Sequence, residues 1–128
     1  MGIINLDAIS PKKLEGRDLY WIATPETIGA EKISFAIMHC HPHAVVRPMH
    51  THKDIEEIIM VLQGEGEAWI DGKLSAFRKG DAVLLPINSR HQVRNTGDEE
   101  LITVSIFSGI TSPESYINYD EDAFGGEE

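Results

Sequence analysis

The sequence predicts an all-β protein, a sandwich or barrel built from short strands. Turn-forming residues separate short apolar stretches at regular intervals throughout the middle of the chain. Asp71 and Gly72 lie between two such stretches, and both tolerate positive φ, which predicts a tight hairpin turn. No stretch combines a sustained helical period with capping residues at both ends.

The first predicted strands follow from local composition. Residues 19–24 are rich in aromatic and branched side chains and are followed by Pro25, which predicts a strand that ends there. Residues 33–40 form the next predicted strand. Because side chains alternate along a strand, its odd-numbered residues share one face and its even-numbered residues share the other.

Composition limits the classes of partner. The chain has 128 residues, enough for one domain, and a formal net charge of −10. This charge argues against nucleic acids and anionic membranes, which attract clustered Lys and Arg. The single cysteine, Cys40, cannot form an intrachain disulfide and fits a reducing compartment. We see no signal peptide, and the longest apolar run, residues 58–62, is too short for a membrane span, so a cytoplasmic location is expected.

Two stretches have apolar side chains on both faces. Residues 57–62 and 101–107 lack the alternation expected of antiparallel strands with one solvated face. Their outer face should therefore be covered, either by the N-terminal arm or by a second subunit. We favour a homodimer.

A cluster of histidines and a carboxylate carries the most chemical information. His50 and His52 are two residues apart, so on a strand they project to the same side. Glu56 and Glu57 follow shortly afterwards, and His91 lies further along the chain. Imidazole nitrogens together with a carboxylate oxygen are typical ligands of a divalent first-row metal. The alternative is that these histidines are ordinary buried polar residues with hydrogen-bond partners.

Two ordered motifs relate the chain to a known family. The first contains, in order, His50, His52, Glu57 and Gly64; the second contains Gly80, Pro86, His91 and Asn95. With both motifs in this order at short separation, the chain resembles the small single-domain cupins (cupin type-2 conserved barrels) over roughly residues 33–107. Two positions depart from the family pattern, Ala44 and Asn88, where glycine is usual. Asn tolerates positive φ, and neither change affects a ligand.

The resemblance implies a fold and a ligand set. The implied fold is a double-stranded β-helix, in which two antiparallel sheets close into a small barrel around a metal. The implied ligands are His50, His52, Glu57 and His91. Parity agrees, because Glu57 would face inward with the histidines while Glu56 faces outward. One divalent transition metal per chain is expected: Fe, Mn, Ni, Co, Cu or Zn.

The resemblance also suggests a division of the chain. Residues 1–30 would form an N-terminal arm with the first strand or strands, and residues 31–110 the cupin barrel. Residues 111–128, which include an acidic run at 120–122, would form a solvated C-terminal tail.

Three further residues are candidates for substrate binding. Arg47 lies just before the first ligand, at the expected barrel mouth, where it could meet an anionic substrate. His39 and His41 share a strand face. If that face points inward they line the cavity, and if it points outward they lie at the dimer interface.

The expected function is a metal-dependent enzyme that acts on a small polar or anionic molecule. Cupins with this ligand set include dioxygenases, decarboxylases, isomerases and lyases. We favour a dioxygenase in which the substrate chelates the metal, because an isomerase needs a base and the only candidates are His39, His41 and Glu56. The alternatives are a metal-dependent sugar or uronate isomerase or lyase, and a non-catalytic small-molecule-binding cupin. Polar side chains are costly to bury, so a barrel without a metal would gain no stability from enclosing three histidines and a glutamate together. The cluster therefore favours a catalytic function.

Overall fold

A computed structural model describes residues 2–125, and within that range the chain forms strands and two single-turn 3₁₀ helices. The 3₁₀ helices span Leu6–Ala8 and Pro113–Ser115. The strands are β1 (Lys12–Leu14), β2 (Arg17–Ala23), β3 (Ser34–Cys40), β4 (Met49–Thr51), β5 (Glu57–Gln63), β6 (Glu65–Ile70), β7 (Lys73–Arg78), β8 (Ala82–Leu85), β9 (His91–Asn95), β10 (Leu101–Phe107) and β11 (Ile117–Tyr119).

The strands form two antiparallel sheets that enclose one core. The six-stranded sheet has the order β1-β2-β3-β10-β5-β8, and the five-stranded sheet has the order β11-β4-β9-β6-β7. The core is built from apolar side chains of both sheets, including Met38, Val61, Val93, Leu101 and Phe107. The predicted all-β architecture with two antiparallel sheets is confirmed. Among residues 2–125 there is no helix long and apolar enough to cross a membrane.

Strand β5 shows how alternation positions the site. Glu57, Ile59 and Val61 are buried, whereas Ile58 and Met60 between them are exposed. The β5 strand lies between β10 and β8, so its inner face points into the space between the sheets. Parity therefore places the Glu57 side chain inside, as the sequence predicted.

Residues with positive φ lie at the predicted turns. Asp71 (φ 46°) and Gly72 (φ 95°) connect β6 to β7, with Ile70 opposite Lys73, which confirms the hairpin. Asn88 has φ 61°, as expected of an asparagine in place of glycine, and its Oδ1 accepts a hydrogen bond from the backbone N–H of Asp54.

The N-terminal segment extends a sheet and leaves the outer face uncovered. Strand β2 pairs with β3, so this segment lies at the edge of the six-stranded sheet. On the outer face, Ile58, Met60 and Leu62 remain between 38% and 44% exposed. The alternative in which the N-terminal arm covers this face is therefore wrong.

The C-terminal segment is folded onto the barrel. Strand β11 pairs with β4 through Ile117 opposite Thr51, and Phe124 is buried beneath the guanidinium of Arg94. The expected solvated tail is thus wrong for residues 111–125, because residues on both sides of the acidic run at 120–122 pack on the barrel. Residues 126–128, also part of that prediction, lie outside the described residues.

Candidate metal centre

Three buried histidines meet where β4 and β9 pair. His50 lies in β4, His52 follows that strand, and His91 opens β9, directly opposite His50 in the ladder. Their side chains are buried, and their ligand atoms all lie within 4.8 Å of one another, close enough to hold a metal ion. Alternation along β4 and the antiparallel register together bring the three rings to one point.

Glu57 reaches the same point from the opposite sheet. Its Oε1 lies 3.1 Å from Nε2 of His52 and 3.8 Å from Nε2 of His91. The neighbouring Glu56 is exposed, and its backbone N–H donates to the hydroxyl of Ser108. The structure therefore brings together all four of the residues predicted as ligands.

Hydrogen bonds orient the first histidine. Nδ1 of His50 lies 2.9 Å from the carbonyl oxygen of Pro48 and can donate to it. A backbone acceptor at Nδ1 fixes the ring and leaves Nε2 as the nitrogen that can coordinate a metal, the usual arrangement for a ligating histidine.

Electrostatics favour the protonation states that bind metal. Burial, with the charges of His91 and His52, holds the pKa of His50 well below its usual value of 6.5. Burial also lowers the pKa of His91 to about 4, although the charge of Glu57 opposes this. For Glu57, burial raises the pKa, but His52, His91 and Ser105 outweigh it and the pKa is lowered. At neutral pH, His50 and His91 are neutral imidazoles and Glu57 is a carboxylate, as coordination requires.

Unsatisfied polar atoms show that a cation fits this cluster. Nε2 of His91 and Oε1 of Glu57 are buried, and neither makes a hydrogen bond of acceptable geometry within the described residues. Buried polar atoms without partners are rare in folded proteins, because each costs about 1–3 kcal/mol. A divalent ion would satisfy both atoms, and the mixed nitrogen and oxygen donor set suits a first-row transition metal.

The cluster opens into a small cavity with mostly apolar walls. The cavity has a volume of about 50 Å³, room for only a few waters. Apart from the four residues of the cluster, its wall is formed by Arg17, Leu19, Met38, Val46, Ile59, Leu85, Val93, Ser105, Phe107 and Tyr116.

A match to a family model identifies the fold around this cavity. The model for the cupin domain matches residues 36–107, more than half of the chain. The chain is a cupin. Its curated relatives include "Polyketide synthase CurC" of Streptomyces cyaneus, which is 30% identical over 121 residues, covering 94% of this chain and 78% of the relative. Another is "Protein SchB" of Streptomyces halstedii, 34% identical over 103 residues, covering 77% of this chain and 70% of the relative.

Solved structures agree with the barrel. This cupin is similar to the oxalate decarboxylase of Lactobacillus farciminis in its formate complex, with a TM-score of 0.78 and 26% identity over 88% of this chain. The match covers 34% of that enzyme, so the cupin spans about a third of its length. A predicted oxalate decarboxylase of Thermotoga maritima is covered completely, at a TM-score of 0.74 and 22% identity, and shows the same fold.

Two cavity residues of the cupin were missed by sequence reasoning. Arg17 opens β2 and is 4% exposed, and its Nη1 donates to the carbonyl oxygens of Glu15 and Arg47, both at 3.0 Å. Its parity with the core residue Leu19 is the signal that could have revealed it.

The other missed residue, Tyr116, follows the C-terminal 3₁₀ turn. Its ring stacks on His50 with 4.7 Å between centroids and meets His52 edge-on at 4.4 Å. Burial and the charge of Glu57 raise the pKa of its hydroxyl, which therefore stays protonated at neutral pH. No local pattern marks this residue, because it belongs to the segment expected to be a solvated tail.

The three residues predicted to bind substrate lie outside the cavity. His39 and His41 belong to the outer face, where Nδ1 of His39 is 3.1 Å from Glu100 and Nδ1 of His41 is 3.5 Å from it. The alternative in which this face lines the cavity is therefore wrong, because the even-numbered residues of β3 face inward. Arg47 directs its guanidinium to Asp122 of the C-terminal segment. Each of these three side chains lies near a carboxylate outside the cavity and does not face the histidine cluster.

Proposed function

We propose that this cupin is a metal-dependent enzyme of dioxygenase type, acting on a small molecule that chelates the metal through its oxygens. The proposed ligands are His50, His52, Glu57 and His91, holding one divalent ion per chain from among Fe, Mn, Ni, Co, Cu and Zn. The donor set admits all of these ions and does not choose among them.

The chain's own residues would prepare the site for that chemistry. A bound divalent ion would supply Lewis acidity for an enolised substrate and, as iron or manganese, redox capacity toward dioxygen. Pro48 fixes the ring of His50, and the carboxylate of Glu57 offsets part of the ion's charge. Tyr116 covers His50 and His52 and can donate a hydrogen bond to a substrate oxygen. The apolar walls exclude water from the reacting atoms.

One observation carries the choice of a metal-centred reaction. Among the described residues, the titratable side chains that line the cavity are the four proposed ligands, Arg17 and Tyr116. Arg17 and Tyr116 are protonated at neutral pH, so no free base remains in the cavity. His39, His41 and Glu56, the candidate bases of an isomerase or lyase, all lie elsewhere. A base-driven isomerase is therefore disfavoured.

The cavity walls and the relatives suggest the class of substrate. Mostly apolar walls suit a compact molecule with an apolar body, not a sugar covered with hydroxyls. The relative with 30% identity carries the name polyketide synthase, and polyketide intermediates are rich in enolisable 1,3-diketones. A diketone of this kind presents two oxygens at a spacing suited to one metal ion. We therefore place 1,3-diketones first among the candidate substrates.

The test is oxygen consumption by the Fe(II)-loaded protein. The panel contains 1,3-diketones, catechols, thiols and hydroxy acids, with the Glu57→Gln variant as the matched inactive control. Uptake of oxygen with a 1,3-diketone, lost in that variant, is the expected result.

Other results of the same panel would refute the dioxygenase. Silence across the panel with turnover of uronates or ketoses would point to an isomerase or lyase. Carbon dioxide released from oxalate without net oxygen consumption would point to the reaction of the similar decarboxylase. Tight binding of a diketone without turnover would leave a binding module.

We also propose that the chain forms a homodimer through the outer face of the six-stranded sheet. Neighbouring strands expose apolar side chains on this face, namely Ile58, Met60, Leu62, Leu84 and Ile106. A contiguous apolar patch of this kind is typical of an interaction surface, and a second copy of the same face would cover it symmetrically.

A further inference from the structure

A buried cation lies in the cavity without a carboxylate beside it. Arg17 lines the cavity and is 96% buried, since its exposed fraction is 4%. Within residues 2–125, its hydrogen bonds are those from Nη1 to the carbonyls of Glu15 and Arg47, and no carboxylate oxygen lies within 4.0 Å of its nitrogens. The Nε and Nη2 donors have no partner among these residues.

Such an arrangement is costly unless something completes it. A guanidinium carries five N–H donors and stays charged, so burying it with one nitrogen bonded leaves donors unpaired, and the charge of Glu15 offsets the cost of burial only in part. Burial lowers the pKa of Arg17, which reflects the same cost. If Arg17 served only to bond these two carbonyl oxygens, a neutral hydrogen-bond donor would be sufficient at this position. The missing partner is an anion with oxygen acceptors.

The surroundings show where that anion would lie. Arg17, His50 and Tyr116 line the same cavity, and the charge of Arg17 acts on the pKa of both other residues. A ligand that fills this cavity of about 50 Å³ would meet both the histidine cluster and Arg17, because both line it.

We infer that Arg17, assisted by the hydroxyl of Tyr116, forms an anion subsite that binds a carboxylate or enolate oxygen of the substrate. The inference rests on the proposed function and specifies its substrate: an apolar body, oxygens that chelate the metal, and a negatively charged oxygen held by the arginine. It also replaces Arg47, which pairs with Asp122 outside the cavity, as the arginine that recognises the substrate.

The test compares two ligands that differ in charge but hardly in shape, propionate and propionamide. Each is titrated calorimetrically into zinc-loaded protein, as wild type, Arg17→Met and Arg47→Met, after the zinc affinity of all three has been measured. In wild type propionate binds more tightly than propionamide. In Arg17→Met that preference falls roughly 10- to 100-fold, the range expected for loss of a charged hydrogen-bonding partner. The Arg47→Met control keeps the wild-type preference.

The outcomes separate this inference from the proposed function. Equal affinities of wild type for the two ligands, or a preference in Arg17→Met as large as that of wild type, would overturn the anion subsite. Loss of the preference in Arg47→Met would overturn it in favour of that residue. If Arg17→Met does not fold, Arg17→Lys, which keeps the charge, must retain the preference. Failure of wild type to bind zinc would refute the metal centre, while the same ligand pair on metal-free wild type and Arg17→Met would still test the arginine.

Discussion

Replacing Glu57 with glutamine, next to the same change at Glu56, tests the metal centre most directly. The two carboxylates are adjacent in sequence but lie on opposite faces of the barrel wall. Glu57 is 5% exposed and its Oε1 is 3.1 Å from His52, whereas Glu56 is exposed to solvent. Glutamine keeps the shape and one oxygen at each position and removes only the charge.

The size of the effect follows from burial. Bonds to charged groups in proteins contribute about 1.5–3 kcal/mol, and burial places Glu57 at the upper end of that range. At 1.4 kcal/mol per factor of ten, Glu57→Gln should weaken metal binding roughly 100-fold. Glu56→Gln should change the affinity by less than about twofold, because an exposed charge is screened by solvent.

The assay is a competition between the protein and a coloured chelator for zinc or manganese, at fixed pH and ionic strength. Circular dichroism of both variants first establishes that they are folded. If Glu56→Gln lost the metal and Glu57→Gln retained it, the assignment of the β5 face would be refuted. Equal affinities of both variants and wild type would remove the carboxylate from the ligand set and leave the three histidines.

Three further predictions concern stability and assembly. The pKa of His91 in the folded protein is about 4, below its usual 6.5, so the unfolded chain takes up the proton first as pH falls. In the metal-free protein, protonation of His91 alone should therefore remove about 3 kcal/mol of unfolding free energy between pH 7 and pH 4. Urea titrations should show this as the difference between the losses of wild type and of a His91→Asn variant. Gly66→Ala should lower the unfolding free energy by about 1–3 kcal/mol in urea titrations, because its Cβ would lie 2.3 Å from the carbonyl oxygen of Arg94. Gly2→Ala, which has open space around its Cβ, should leave the unfolding free energy unchanged in the same titrations. Met60→Glu should convert a dimer into monomers in sedimentation velocity, and a wild type that is already monomeric would refute the proposed interface.

Local patterns were sufficient for the strands and for the inner face of the site. The hairpin at Asp71 and Gly72 could be predicted because φ preferences act within two residues. The inward direction of Glu57 could be predicted because parity holds along one strand. The convergence of His50 and His91 could be predicted only from the resemblance to the cupins, because neither segment alone determines which strands pair across the sheet.

Long-range packing explains what the sequence did not reveal. The position of Arg47 near His50 in the sequence predicts contact with substrate, yet an ion pair with Asp122 draws its side chain away. The sequence carries no signal for Tyr116, because the acidic residues after it favour a solvated tail over residues 111–128. The partners of both residues lie on distant parts of the chain, and no periodicity encodes such contacts.

The placement of Tyr116 has a consequence for how metal enters and leaves. This residue lies over His50 and His52 as a cover, and β11, which directly follows it, belongs to the same segment of the chain. In the finished protein, the cover is attached to β4 by a ladder of three residue pairs. Short ladders open locally at a much lower free energy than the whole fold. The rate of metal exchange should therefore be set by the local opening of residues 111–119. The metal present when this segment closes should be retained longer than its affinity alone would predict.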